Sequence, residues 1–136
     1  MAEPSVPSRQ SVTTVRVRYA ETDQMGVAYY ANYFVWFEVA RTDWLRGAGL
    51  TYREMEAGGV LLPVIDARCA YKSPARYDDA LSISAVARVV SPARLAFDYE
   101  ITGPTALVAV GSTVHATIDR TGRPIRMPAR IKELLR

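Results

Sequence analysis

Hydrophobic and polar positions alternate with a period of two over several stretches of this chain, and with a helical period over one. Val15, Val17 and Tyr19 alternate with Arg16 and Arg18, which predicts a first strand. A turn-like segment from Glu21 to Gly26 follows, with Gly26 free to take a positive φ. From about Ala31 to Ala48 the pattern turns helical, stopped by Gly47 and Gly49. At about 100° per residue, Tyr33, Phe37, Ala40 and Trp44 share one face, with Trp36 beside it. Phe34, Val35, Val39 and Leu45 leave little polar surface elsewhere, and Glu38 and Arg41 form one (i, i+3) pair. A helix this apolar is expected to be buried, so the rest of the chain must wrap it.

Four further strands supply the wrapping. Ile65, Ala67, Cys69 and Tyr71 alternate with Asp66, Arg68 and Lys72. Leu81, Ile83, Ala85, Ala87 and Val89 alternate with Ser82, Ser84 and Arg88, and Leu95, Phe97, Tyr99 and Ile101 with Asp98, Glu100 and Thr102. Over 106–118, Val108, Val110, Val114, Ala116 and Ile118 form the apolar set, opposite Thr113, His115 and Thr117. Pro74, Asp78-Asp79, Ser91-Pro92 and Gly103-Pro104 punctuate these runs, and short connections predict an antiparallel four-strand meander. A short helix is expected after Pro128. Residues 1–11 read as a flexible tail and 12–136 as one α+β domain, a long buried helix in a curved antiparallel sheet of about five strands. That is the arrangement of a hot-dog fold; a cystatin-like α+β sheet fits the same pattern.

Composition narrows the chemistry. The 136 residues carry 17 basic and 14 acidic side chains and are 49% hydrophobic, too apolar for disorder. A single cysteine, Cys69, excludes an internal disulfide and a cysteine-rich zinc site, and a single histidine, His115, excludes a multi-histidine metal site. No run approaches the roughly 20 apolar residues needed for a membrane span, and residues 1–11 lack the apolar centre of a signal peptide, so a cytoplasmic location is expected. A net charge of +3 is weak support for a nucleic-acid partner, and no recognition motif accompanies it. Arg120, Arg123, Arg126, Arg130, Lys132 and Arg136 crowd the last stretch, as a phosphate-holding end or as a solvated surface.

The densest polar and aromatic cluster, Tyr19 to Tyr33, joins the first strand to the helix. Helix N-termini expose unpaired N–H groups that hold anions, including the oxyanion formed when a carbonyl is attacked. A carboxylate opposite such a terminus serves as nucleophile or general base, which makes Asp23 the candidate; Gly26 would let backbone approach a substrate closely. Equally, Thr22 and Asp23 are ordinary turn and capping residues. His115 lies on the expected polar face of its strand and reads as a surface or subunit-contact residue, while Cys69 reads as core. Asn32 either lines a pocket or caps the helix, and Trp36, Phe37 and Trp44 read as core or interface.

The run RYAETDQMGVAYYANYFVWFEVAR at 18–41 resembles the signature of the 4-hydroxybenzoyl-CoA thioesterase family of hot-dog proteins. YKSPARYDD at 71–79 and GSTVHATIDRTGRPIRMP at 111–128 continue the resemblance, which is strongest to the acyl-CoA thioesterase branch of Tol-Pal gene neighbourhoods. It implies hydrolysis of an acyl-CoA thioester without a further cofactor, in a homodimer or homotetramer with active sites at the subunit interface. Asp23 matches the catalytic aspartate, with the oxyanion held by N–H groups near Tyr30 and Ala31. Tyr19, Thr22, Gly26, Val27 and Asn32 would border the substrate. Many members carry His where this chain has Tyr30; a phenol donates a hydrogen bond but shuttles protons poorly at neutral pH. Lys72, Arg76, Arg123 and Arg126, with Arg130, are expected to hold the phosphates of coenzyme A. A hydratase or dehydratase of the same fold needs a histidine near the helix, where this chain has none. A non-catalytic acyl-CoA or acyl-carrier binding module is the alternative.

Overall fold

The first long helix, α1, runs from Asn32 to Gly47 and lies against one antiparallel sheet in the computed structural model, which describes residues 9–135. The strands are β1 (Gln10–Arg16), β2 (Val64–Tyr71), β3 (Ala80–Ser91), β4 (Arg94–Thr102) and β5 (Leu107–Ala116). They are ordered β1-β3-β4-β5-β2, the hot-dog arrangement. Two short helices, α2 (Tyr52–Ala57) and α3 (Ala129–Leu134), complete the elements; α3 is the helix expected after Pro128. Of the tail expected over 1–11, residues 1–8 lie outside the described residues, and Gln10 and Ser11 already pair with Val86 and Ala85 in the sheet.

The core forms where α1 presses on the sheet. Tyr33, Trp36, Phe37, Ala40, Trp44 and Leu45 are buried against Leu81, Ile83, Ala85, Phe97, Tyr99 and Ile101. The Phe37 ring stacks on Tyr99 with centroids 4.4 Å apart and planes 9° from parallel. That stacking depends on Gly111: a Cβ there would stand 2.5 Å from Phe37 Cζ and 2.5 Å from the Arg68 carbonyl. Glycine lets a flat ring lie directly on strand backbone.

Four expectations change. The meander comprises only β3, β4 and β5, because β2 crosses to the far edge and pairs with β5 from Val64↔His115 to Tyr71↔Ala109. Period-two alternation does not report which strand lies alongside. Next, α1 is wrapped on one side only: Val35 and Val39 are exposed. Arg41 also turns inward instead of pairing with Glu38, and is buried. Tyr19, finally, lies beyond β1 in a 3-10 turn, exposed, while Val17 is buried.

The largest reversal is in β5. Thr113, His115 and Thr117 point into the core, and Val110, Val114 and Ala116 are only half-buried on the outer face. His115 is 1% exposed, so it is not a surface residue. Burying Thr113 and His115 is tolerated because they are joined in one network, whereas Thr117 Oγ1 is buried with no hydrogen-bond partner among the described residues. Arg41 Nη1 donates to the Tyr99 hydroxyl at 3.1 Å, Tyr99 and Thr113 hydroxyls are 2.7 Å apart, Thr113 Oγ1 is 2.9 Å from His115 Nε2, and His115 Nδ1 is 3.0 Å from the Leu62 carbonyl. A carbonyl can only accept, so His115 Nδ1 carries the proton and every other hydroxyl donates toward Nε2. Burial, helped by the charge of Arg41 and opposed by the bond to Leu62, keeps the imidazole neutral, and its pKa falls to about 4.

Candidate active site

Between β1 and α1 the chain folds into a small closed loop. Asp23 N–H donates to the Val27 carbonyl at 2.9 Å, Gly26 N–H to the Asp23 carbonyl at 3.0 Å, and Thr22 bridges to Ala28. Gly26 has φ +78°, as the turn requires. The half-buried Asp23 side chain is fixed by Met25, whose N–H donates to Oδ1 at 2.8 Å. Its second oxygen has no protein partner among the described residues.

The start of α1 faces this loop. Its N-cap is Ala31, so no side chain caps the first turn. Asn32 N–H donates to the Tyr29 carbonyl and Phe34 N–H to Ala31, but among the described residues no backbone carbonyl accepts the N–H of Tyr30 or Ala31. An uncapped helix start costs stability, roughly 1 kcal/mol relative to Ser, Thr or Asp at that position, and leaves donors open to a ligand. Asn32 does not cap the helix; its Nδ2 donates to the Glu21 carbonyl at 2.8 Å and ties the loop to α1. Thr22 turns its hydroxyl to the Tyr19 carbonyl at 2.7 Å, a turn-stabilising bond.

Two residues not singled out by sequence hold this arrangement. Buried Glu21 accepts from Arg18 N–H at 2.8 Å and from Trp36 Nε1 at 3.2 Å, anchoring the loop to the helix interior. Tyr71, at the end of β2, donates its hydroxyl to the Tyr30 carbonyl at 2.8 Å and packs edge-to-face on Tyr33. Burial, with Cys69 and Tyr33 nearby, pushes the Tyr71 phenol up to about 12, so this donor keeps its proton. Tyr29 and Tyr30 stand with ring centroids 4.7 Å apart. The hydrogen bond with Tyr30, its charge, burial and the charge of Asp23 all raise the Tyr29 phenol.

The expected site residues therefore divide. Tyr19, Thr22, Asp23, Gly26, Val27, Tyr30, Ala31 and Asn32 gather in the loop and helix start, and the 72–79 loop with Lys72 and Arg76 joins them, through Ala28 N–H on the Ala75 carbonyl at 2.7 Å. Arg123 and Arg126 do not. Segment 118–126 pairs with Leu61 beyond the Val64 end of β2, whereas Lys72 follows its Tyr71 end, so one chain holds them at opposite ends of the sheet. Arg126 instead lines a separate cavity of about 260 Å³ with Val89 and Lys132. Cys69 is half-buried on the edge strand, and no group of three potential metal ligands exists among the described residues.

Residues 17–135 match the model of the thioesterase-like superfamily. The chain is 37% identical to the putative acyl-CoA thioesterase YneP of Bacillus subtilis, over 82% of this chain and 83% of that protein. It is 29% identical to the acyl-CoA thioesterase YbgC of Haemophilus influenzae, over 87% and 88%. The solved DHNA-CoA thioesterase of Staphylococcus aureus superposes with a TM-score of 0.82 at 39% identity, covering 86% of this chain and 80% of that one. With the hot-dog sheet and these relatives together, the chain belongs to the thioesterase-like superfamily.

Proposed function

We propose that this protein hydrolyses acyl-CoA thioesters to the free acid and coenzyme A, in the cytoplasm and without a further cofactor, as one domain that takes in β1 from Gln10. The observation that carries the reading is that Asp23 keeps a free carboxylate oxygen on a short loop that Asn32 ties to an uncapped helix start, where the N–H groups of Tyr30 and Ala31 have no partner among the described residues. The thioester oxygen accepts from those N–H groups, which stabilise negative charge as the carbonyl carbon becomes tetrahedral. Asp23 either attacks that carbon, forming a mixed anhydride that water opens, or takes the proton from the water that attacks it. In both routes the C–S bond breaks and coenzyme A leaves as thiolate, a good leaving group that needs no strong general acid. That fits a site where Tyr30 stands instead of an imidazole.

One chain offers an open shelf, and the free edge of the sheet supports a homo-oligomer. β2 is an edge strand exposed along most of its length, with Val64, Ile65 and Tyr71 uncovered. Pairing it with a second copy across a two-fold axis continues the sheet and removes that edge. Antiparallel pairing sets the Tyr71 end of one strand beside the Val64 end of the other, so the 118–126 segment of the second copy comes toward the shelf. In that assembly Arg123 and Arg126 regain the phosphate-holding role that a single chain denies them.

The test is thiol release from acetyl-, butyryl-, lauroyl- and benzoyl-CoA by the parent chain and by Asp23→Asn. Turnover on the best ester is expected to fall about 100-fold or more. Near-normal turnover in the variant would overturn the role of Asp23, and binding of esters without thiol release by the parent chain would make it a binding module.

A further inference from the structure

Two exposed aromatic rings beside the site have no role in the chemistry just described. Tyr19 and Tyr77 meet edge to face, centroids 5.8 Å apart and planes 83° from parallel, yet they remain 78% and 59% exposed. Their backbones are well held. The Tyr19 carbonyl accepts from both the N–H and the hydroxyl of Thr22. The loop bearing Tyr77 is closed by Asp79 N–H on the Arg76 carbonyl at 3.1 Å and by Arg76 N–H on Asp79 Oδ2 at 2.9 Å. It is docked just past the end of β1 by Asp78 N–H on the Val17 carbonyl at 2.8 Å. Asp78, next to Tyr77, has φ +70°, the one non-glycine residue with positive φ among the described residues. Backbone strain of this kind clusters at ligand clamps, where a fixed geometry is useful.

Charge around the rings is uneven. Arg16 and Arg18 are occupied by Asp78 and Glu21. The side chains of Lys72 and Arg76 have no protein partner among the described residues, and Arg76 borders a cavity of about 370 Å³ with Ser73, Pro74 and Asp79. Exposed rings on well-held backbone, beside unpaired cations on the Tyr77 loop, suit a planar, anionic ligand: rings stack with bases, and the cations meet phosphate.

We propose that Tyr19 and Tyr77, with Arg76, form a stacking shelf for the adenosine 3′,5′-bisphosphate end of the coenzyme. This deepens the thioesterase reading and rests on it. The thioester and the nucleotide of coenzyme A are separated by the pantetheine arm. A nucleotide shelf must therefore stand outside the Asp23 loop, and Tyr19 projects from the turn just before it.

The experiment compares kcat/KM for one acyl group carried on coenzyme A and on pantetheine, which lacks the nucleotide. The CoA preference is expected to shrink about tenfold in Tyr77→Ala, mainly through KM, and to persist in Tyr77→Phe, which keeps the ring. A poorly folded variant would lower both activities and leave the ratio intact, so the ratio reads recognition alone. In parallel, binding of adenosine 3′,5′-bisphosphate itself should weaken in Tyr77→Ala. The proposal is overturned by an unchanged ratio, by equal losses in Tyr77→Phe, or by a changed oligomeric mass with the ratio intact, which would make the rings a contact between copies. Absence of thiol release from any ester would sink the thioesterase reading, while bisphosphate binding would still report on the shelf.

Discussion

Two polar clusters lie on α1, and they differ in what their groups are free to do. Inside the sheet, Arg41, Tyr99, Thr113 and His115 form a directed chain in which each bond fixes the next, ending on the Leu62 carbonyl. At the helix start, Asp23 and the N–H groups of Tyr30 and Ala31 keep bonding capacity to spare. The residue most often suspected of catalysis, a histidine, is spent on structure, and an ordinary turn aspartate is left available. Chemical type alone does not nominate a catalytic group; unsatisfied capacity beside open space does.

Breaking the inner region should cost stability first. Gly111→Ala forces a methyl group into Phe37 and the β2 backbone, and we expect a loss of about 3 kcal/mol in denaturant unfolding. A loss below about 0.5 kcal/mol would mean that the ring has room to move. Asp23→Asn, by contrast, should leave unfolding within about 0.5 kcal/mol of the parent while turnover collapses.

Acid sharpens the same contrast. An unfolded histidine takes its proton near pH 6.5, but folded His115 does so only near 4. Its contribution to stability is therefore complete above pH 6.5, declines as pH falls toward 4 and is gone below it, about 3 kcal/mol in all. Unfolding curves across that window should show the slope, and His115→Gln should flatten it; an equal slope in the variant assigns acid lability elsewhere.

The smallest effect concerns the boundary between the clusters. Tyr71→Phe removes the bond to the Tyr30 carbonyl from a partly exposed position, so stability should change by about 1 kcal/mol at most. If that bond aligns the open N–H groups, kcat should drop several-fold with KM little changed. A shift in KM alone would make Tyr71 a substrate contact instead.

Much of the fold was legible because its signals are local. Alternation marked the buried face of β3 from Leu81 to Ala87 and that of β4, although Val89, expected on the same face of β3, is exposed, and the aromatic face of α1 was visible from its spacing. The site loop was legible too, since a glycine turn, a carboxylate and a helix start follow one another within 14 residues, from Tyr19 to Asn32. One missed element had a local signal: Thr51 caps α2 by accepting from Glu54 N–H at 3.1 Å, a spacing typical of helix starts.

By itself, then, the sequence determined the periodicities, the turns and the loop that presents Asp23, because each depends on neighbours a few residues apart. Only the tertiary structure decided that β2 lies beside β5, that β5 turns its polar side inward and that Arg123 and Arg126 stand away from the shelf. Those outcomes depend on partners far along the chain. A polar strand face becomes the inner one only when Arg41, Tyr99 and the Leu62 carbonyl arrive to satisfy it, and no local pattern records their arrival.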